Sequence, residues 1–418
     1  MLKFGSARVA LNWAIGLPLA GYIKRTLPAN GIHSQLYVRA VVISSAETTL
    51  CLLSGEILAV DAELTARVRQ AVHEATGISA EAIMLTATHT HASIGGLTHF
   101  PVPTSNDAVL GSYSPELVDQ FVAAALQAVQ NALQAQTDVN LSYGKAVTQG
   151  IAANRRDPNG VSDPTLPFLV AHDANNQVVG SIFSYACHPT ILSAENQLYS
   201  GDLIGTASAL LETHWRHALP LTGAAGNIST RFTRREATTA EVERMAQILV
   251  DALLSAALHA LETDTLAYIR TQVTLPVKPL QPRASLQKSL VDAQVRFSAF
   301  QNPAERRIVE AEIEGLLMLL NMSERPGTLT SEVQIFHISS AYIVSLPGEF
   351  FVEYGLELTQ RLAPALLLIA GYANDYLGYI TTPEAADGYE ADTAILRPEA
   401  GQIVLDAIYS AINRLQTP

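Results

Sequence analysis

Short runs of β-branched and aliphatic residues alternate with amphipathic helical stretches along almost the whole chain, and this alternation limits the fold more than any other feature. Each such strand and helix has an apolar face to bury, and stacked layers of sheet and helix bury them all. The runs 37–44 and 49–54 read as two strands joined by a short polar turn. Residues 60–76 have helical spacing, with Val60, Leu64, Val68 and Val72 on one face. A buried strand is expected at 83–87 and a long helix at 114–134, opened by Ser114, Pro115 and Glu116 as a cap with proline in the first turn. Strands follow at 140–143, 168–172 and 178–186, and Asp202 reads as the N-cap of a helix running to His217. Residues 241–261 read as a helix, and 285–322 as a helical hairpin broken at Asn302-Pro303. The last third returns to strands at 333–338 and 342–346, then to helices at 349–362 and 398–414. The expected fold class is α/β, with layered mixed β-sheets flanked by helices. No repeat, low-complexity stretch or linker divides it, so a single catalytic domain over 1–418 is expected, with a helical hairpin insertion near 283–325.

Composition narrows the function. With 48% hydrophobic and 16% charged residues, the 418-residue chain suits a globular enzyme with a large core, not a disordered or fibrous protein. A net charge of −13 argues against nucleic acid and anionic membrane surfaces as partners, although Arg231, Arg234 and Arg235 form a small basic patch. Cys51 and Cys187 cannot build a disulfide framework. Lys3 and Arg8 precede the apolar run 9–22 in the manner of a signal peptide, but Asn12 and Pro18 interrupt that run and no small-x-small cleavage site follows. No stretch approaches the ~18 uninterrupted apolar residues of a membrane span. The expectation is a cytoplasmic protein without stable membrane insertion, whose apolar helices leave room for a homo-oligomer interface.

Among the eleven histidines, most read as solvated or boundary residues, including His73, His214, His217 and His259. His89 and His91 differ, because they lie where the strand 83–87 gives way to a loop containing Gly95 and Gly96. Alternate residues of a strand share a face, so both rings can look into one cleft at the C-terminal end of a sheet, where sites are built. Thr88–His91 reads equally as a polar strand cap. His188 ends a second strand in the same manner, followed by the ladder-stopping Pro189. Two strand ends presenting histidine make a split metal site, with a position open for water. Cys187 points to the opposite face and reads as core. Glu349, at a strand-to-helix turn, is a candidate anionic third ligand; it reads also as a helix-start glutamate stabilised by the macrodipole. No HExxH helix is present.

In this order the segments resemble the catalytic domain of neutral (non-lysosomal) ceramidases nearly end to end. The similarity begins at Pro18-Leu19-Ala20-Gly21-Tyr22 and passes through His89-Thr90-His91, Gly95-Gly96, Asn154-Arg155, His188, Ser200-Gly201-Asp202 and Gly226-Asn227-Ile228-Ser229. It closes with Leu346-Pro347-Gly348-Glu349, with the run from Gly378 to Glu384, and with Tyr389-Glu390. The resemblance implies that His89, His188, Glu349 and Tyr379 ligate Zn2+, and that His91, Arg155 and Tyr389 line the reacting centre. It further implies that metal-activated water attacks an amide carbonyl, that Tyr389 helps stabilise the oxyanion, that His91 protonates the leaving amine and that Arg155 orients the substrate. The sequence departs from the family at Ala92-Ser93-Ile94, at Trp13-Ala14 and at Asn227, where the family carries aspartate. It is expected to lack the C-terminal immunoglobulin-like domain and signal peptide of secreted members. Substituted loops imply the same chemistry on a different substrate: a linear N-acyl amide of a soluble metabolite rather than ceramide. An esterase or lactonase on the same site, a non-catalytic small-molecule binding protein and a structural role for the histidines are the competing readings.

Overall fold

The computed structural model describes residues 2–99, 109–300, 303–321 and 326–416. Its main sheet runs in the order 218–222, 178–185, 165–172, 137–147, 2–11, 36–44, 49–55, 83–87, with 259–260 pairing as a ninth strand on 137–147. Leu2–Leu11, a strand not expected from its residues, joins the two halves. It pairs antiparallel with Leu36–Ser44 from Lys3↔Ser44 to Leu11↔Leu36, and with Thr137–Val147 through Leu2↔Val139. A second sheet of four strands, 266–276, 328–338, 341–345 and 366–370, lies against the first. Phe336, Ile338, Ile343 and Leu368 share one apolar cluster with Val42, Leu53, Leu85 and Leu219 of the main sheet. Strands covered on both faces have no solvent side, which is why Ile83–Ala87, Ala218–Thr222, Ala341–Ser345 and Leu366–Ala370 are buried at every position.

Helices close the outer faces. Ala62–Thr76 is capped by Asp61, whose carboxylate accepts from the Leu64 amide at 2.8 Å, and it stops at Gly77 with φ +76°. Pro115–Gln134 buries Val118, Phe121, Ala125, Ala128, Val129 and Ala132, the three-to-four spacing of a face laid on a sheet. Gly5 lets that helix approach, since a Cβ there would stand 1.9 Å from the Ala132 carbonyl oxygen. Asp202–Leu211 and Thr239–Ser255 cover the far end of the main sheet, while Val352–Leu362 and Ala400–Gln416 cover the second. Arg283–Ala299 and Pro303–Asn321 pack on each other as the expected hairpin; residues 301–302 and 322–325 lie outside the described residues. The fold is thus the layered α/β arrangement of mixed sheets between helices.

Two expected helices are shorter than their sequence suggested. The one opening at Asp202 ends at Leu211, not His217, because Ala218–Thr222 is taken up as a parallel neighbour of 178–185. The one expected to reach 261 ends at Ser255, and His259–Ala260 pairs with Ser142–Tyr143 instead.

The C-terminal ends of the central strands are laced to one another. The Gly371 amide donates to the Thr222 carbonyl, the Ala87 amide to the Tyr372 carbonyl, and the Gly223 amide to the Tyr185 carbonyl. Segments 88–91, 186–189, 223–229, 346–350 and 371–379 leave these ends and converge on one place.

Candidate active site

The strand before the first histidine pair stops at Ala87, and His89 adopts φ +64°, a left-handed conformation that non-glycine residues rarely take. The expectation that His89 and His91 share a strand face is therefore corrected: a left-handed turn brings their rings together. The rings stand edge-on at 4.8 Å, with Nε2 atoms 3.3 Å apart. His188 enters from the other side, its amide donating to the Ile228 carbonyl, and its Nε2 lies 3.2 Å from that of His89.

The proton positions follow from the partners. His89 Nδ1 is 2.7 Å from the Leu58 carbonyl oxygen, and His188 Nδ1 is 2.6 Å from that of Ala225. A carbonyl only accepts, so each Nδ1 carries the hydrogen. Burial then holds the rings neutral: it lowers His89 to about 3 and puts His188 well below the usual imidazole range. Both Nε2 atoms therefore present lone pairs at 3.2 Å. Glu349 adds a third acceptor, its Oε2 lying 2.9 Å from His188 Nε2 and 3.6 Å from His89 Nε2, with no hydrogen-bond donor among the described residues. Such a set repels itself unless a cation sits between. Ligand atoms ~2.0–2.1 Å from a tetrahedral ion are ~3.3 Å apart, close to the two Nε2 separations. The donor set fits a divalent metal ion.

His89, His91 and His188 form one group whose ligand atoms all lie within 4.8 Å of each other, yet His91 is held differently. Its Nδ1 is buried with no partner among the described residues, so no carbonyl fixes its tautomer. The ring is placed from behind by Gly21, where a Cβ would come 2.5 Å from the imidazole, and Tyr22 flanks it at 4.8 Å. Arg25, a residue the sequence did not single out, donates to the carbonyls of His91 at 2.6 Å, Ala20 at 2.9 Å and Ser193 at 3.1 Å. One guanidinium thus pins three loops around the ring.

Glu349 and Tyr379 come together as directly paired positions of two short parallel strands, Glu349–Phe350 and Tyr379–Ile380. The Tyr379 hydroxyl accepts from Arg155 Nη2 at 2.9 Å. Arg155 reaches it because Asn154 pairs with Ile228, and the same Nη2 donates to the Gly226 carbonyl at 2.6 Å. Arg155 Nε also lies 2.7 Å from Glu390 Oε1. Burial opposes the Arg155 charge, but Tyr379, Glu390 and Glu349 together hold its pKa above normal. Burial likewise opposes ionisation of Glu390, while Arg155 and Arg156 bring its pKa below the ordinary value. The Tyr389 ring stands 5.9 Å from that of Tyr379 and lines the same cavity as His89, His91 and Glu349. All seven candidate residues therefore surround one centre.

Besides Arg25, sequence reasoning missed three side chains there. Tyr376 donates to Glu349 Oε1 at 2.5 Å, Tyr372 stacks on His89 at 4.0 Å, and Glu390 anchors both Arg155 and Arg156. The tyrosines lie in a run that reads as buried aromatic core, and Glu390 offered only its place beside Tyr389. Asp202 is not the N-cap, a position Gly201 holds. With φ +46°, it turns its carboxylate to the amides of Ile191 and Leu192, at 3.1 and 3.0 Å, securing the loop after His188. Asn227 now has a physical reason: its Nδ2 donates to Glu353 Oε2 at 2.9 Å, where an aspartate would face a second carboxylate. Cys187 is fully buried in an apolar cluster, as expected.

Comparison with known proteins shows the family and the fold. The profile of the family described as "Neutral/alkaline non-lysosomal ceramidase, N-terminal" matches residues 13–233. Neutral ceramidase from Pseudomonas aeruginosa is 23% identical over 486 aligned positions, covering 95% of this chain and 69% of that protein. Neutral ceramidase from Mycobacterium tuberculosis is 23% identical, covering 88% and 69%. The crystal structure of the Pseudomonas aeruginosa enzyme superposes with a TM-score of 0.77 at 20% identity, over 99% of this chain and 74% of that one.

Proposed function

The chain belongs to the neutral/alkaline non-lysosomal ceramidase family, and we propose that it is a zinc-dependent hydrolase of a linear N-acyl amide, acting on a soluble metabolite rather than ceramide. The observation that carries this reading is the convergence of His89 Nε2, His188 Nε2 and Glu349 Oε2, with no hydrogen-bond donor to that oxygen among the described residues. In this reading these three residues hold the ion together with Tyr379, and their nitrogen and oxygen donors suit zinc. A divalent cation held there supplies Lewis acidity, polarising a carbonyl and making water nucleophilic near neutral pH.

The remaining steps belong to the protein. The hydrogen bonds from His89 to Leu58 and from His188 to Ala225 keep both rings in the ligating tautomer. His91, whose Nδ1 has no fixed partner, is the ring that would carry a proton to the leaving amine; burial, with His89 and His188 beside it, holds its pKa well below the usual imidazole range, so a proton placed there is readily given up. Tyr389 offers a hydroxyl to the developing oxyanion. Arg155, immobilised by Gly226 and Glu390, sets Tyr379 in place and presents a fixed charge to the substrate. The preference for a soluble substrate rests on the small chamber beside the histidines, about 50 Å3, and on the charged side chains, Arg155 and Glu390 among them, in the pocket outside it. No described helix is long and apolar enough to cross a membrane. Both cysteines are buried and unpaired, which supports placing the enzyme in the cytoplasm.

The test is elemental analysis of wild type and His89→Ala, paired with amine release from a panel of N-acyl amides and matched esters. Near-stoichiometric zinc that disappears in the variant, together with metal-dependent amine release, is the expected result. A protein that purifies without metal and gains no activity on adding zinc refutes the proposal, and turnover of the esters alone replaces amidase with esterase.

A further inference from the structure

The chamber beside the histidines has two unlike sides. One presents His89, His91, Glu349 and the rings of Tyr376, Tyr379 and Tyr389. The other is apolar, made by Leu58, Val109, Met318 and Ile395 with Thr393, and among the described residues no charged side chain lies on it. Leu58 and Ile395 belong to two different buried cores and have no room to give way. Met318 is the adaptable part of the wall, a half-buried, unbranched thioether. It comes from the helix Pro303–Asn321, and Gly315, one turn earlier on the same face, lets that helix reach the site. A Cβ at Gly315 would lie 2.9 Å from Thr393 Cγ2 and 3.7 Å from the Tyr389 ring. Lys24 pairs with both Glu310 and Glu314 of this helix and ties it to the loop after Tyr22.

An amide divided at its scissile bond has two ends, an uncharged acyl group and an amine that leaves polar or charged. An acyl chain gains by burial against the apolar wall, whereas an ammonium there would lose its water with no carboxylate on that wall to pair it. The outer pocket, where Glu314 and Glu390 stand, suits the amine end. Size then limits the acyl end, because the chamber measures only about 50 Å3. At about 10–15 Å3 for each water-sized group, it holds roughly three to five non-hydrogen atoms, which with the carbonyl oxygen counted is an acyl group of about two to four carbons. We infer that this chamber is the acyl subsite and that Met318 sets its depth, so that the substrate is an amide of a short-chain acid. The inference rests on the hydrolase reading above and deepens it. It makes Met318 a specificity-determining residue and makes acyl length the main determinant of substrate choice.

The experiment measures kcat/KM of the metal-loaded enzyme on one amine acylated with straight chains from acetyl to dodecanoyl, and on a second series that keeps the acetyl group and lengthens the amine. In the first series kcat/KM should rise about four-fold for each methylene that fits. It should then fall about ten-fold or more once the chain exceeds about four carbons. Met318→Ala removes Cγ, Sδ and Cε, so the fall should move outward by about three carbons. Met318→Trp, which fills the chamber, should leave acetyl as the preferred group. Octanoyl cleaved as well as butanoyl by wild type, a fall that stays in place in both variants, or a limit found only on lengthening the amine overturns the subsite. Calorimetric binding of acyl hydroxamates of the same chain lengths, whose head group grips a divalent ion without being cleaved, keeps the two proposals apart. A length limit in affinity that moves in Met318→Ala supports the subsite even if no amide is cleaved, in which case the hydrolase reading alone fails. Turnover without a length limit refutes the subsite alone, and neither turnover nor hydroxamate binding overturns both.

Discussion

Replacing Gly21 by alanine puts a methyl group where His91 already stands. The backbone there has φ +101°, and an ideal Cβ would lie 2.5 Å from Cγ and Nδ1 of the ring and 2.8 Å from its Cβ. Carbon atoms in contact prefer about 3.5–4.0 Å, so the ring or the loop must retreat by roughly 1 Å. The ring cannot escape backwards, because Arg25 holds the His91 carbonyl at 2.6 Å and Tyr22 flanks the imidazole. The displacement therefore falls on the end of the ring that faces the reacting centre. A shift of about 1 Å in a catalytic group costs on the order of 100-fold in rate, and the strained backbone adds about 1–3 kcal/mol of destabilisation. Gly21→Ala should thus fold with reduced stability, keep near-wild-type metal content and lose about 100-fold in amine release. The assay is kcat/KM beside elemental analysis and urea unfolding of the same preparation. Activity within about three-fold of wild type would refute the placement argument. Loss of metal in step with activity would refute the division of roles, because it would make His91 a ligand.

Two further outcomes follow from contacts around the centre and across the sheet. Tyr376→Phe removes the 2.5 Å donor to Glu349 Oε1 and frees that carboxylate to rotate, so metal affinity should fall about 10- to 100-fold in a chelator competition, and unchanged affinity would deny Tyr376 an orienting role. Glu212 is held near a pKa of about 2; burial works to raise it, and Arg39 at 3.0 Å, with Arg8 and His217, overcomes that. Its folded-state pKa is below the unfolded value, so its contribution, about 3 kcal/mol, is complete above the ordinary carboxylate range and is lost as pH falls from about 4 toward 2. Urea unfolding across that range should show a steeper acid loss for wild type than for Glu212→Gln, and parallel curves would refute the linkage.

The layering and most elements were legible because their signals are local. Asp61, Gly77, Ser114 and Pro115 punctuate two helices, and the apolar runs at 83–87 and 341–345 are short and continuous, as strands buried on both faces must be. What failed was decided by distant partners. Leu2–Leu11 carries Lys3, Gly5 and Arg8 and lacks clean alternation; it is a strand because three neighbours surround it: the helix over Gly5, Leu36–Ser44 and Thr137–Val147. Thr239–Ser255 has no glycine or proline to stop it, and the sheet edge at Ser142–Tyr143 claims the residues after it. The residue types of the candidate metal site were legible, but the left-handed turn at His89 was not, since histidine gives no sign of taking it.

The motifs are individually weak and collectively specific for a physical reason: each is the backbone partner of the next. Asn154 pairs with Ile228, and the Arg155 amide donates to the Asn227 carbonyl. The His188 amide donates to the Ile228 carbonyl, and the Gly226 amide to the Phe350 carbonyl. Gly226 tolerates no side chain, since a Cβ would come 2.3 Å from the Glu349 carbonyl oxygen. Glu349 in turn pairs with Tyr379, whose hydroxyl returns to Arg155. Segments more than two hundred residues apart thus form one hydrogen-bonded circuit around the candidate metal site, and a change in any of them moves a candidate ligand. Such a circuit constrains backbone positions more than side chains, and the departures at Ala92-Ser93-Ile94 and Asn227 are absorbed as buried residues.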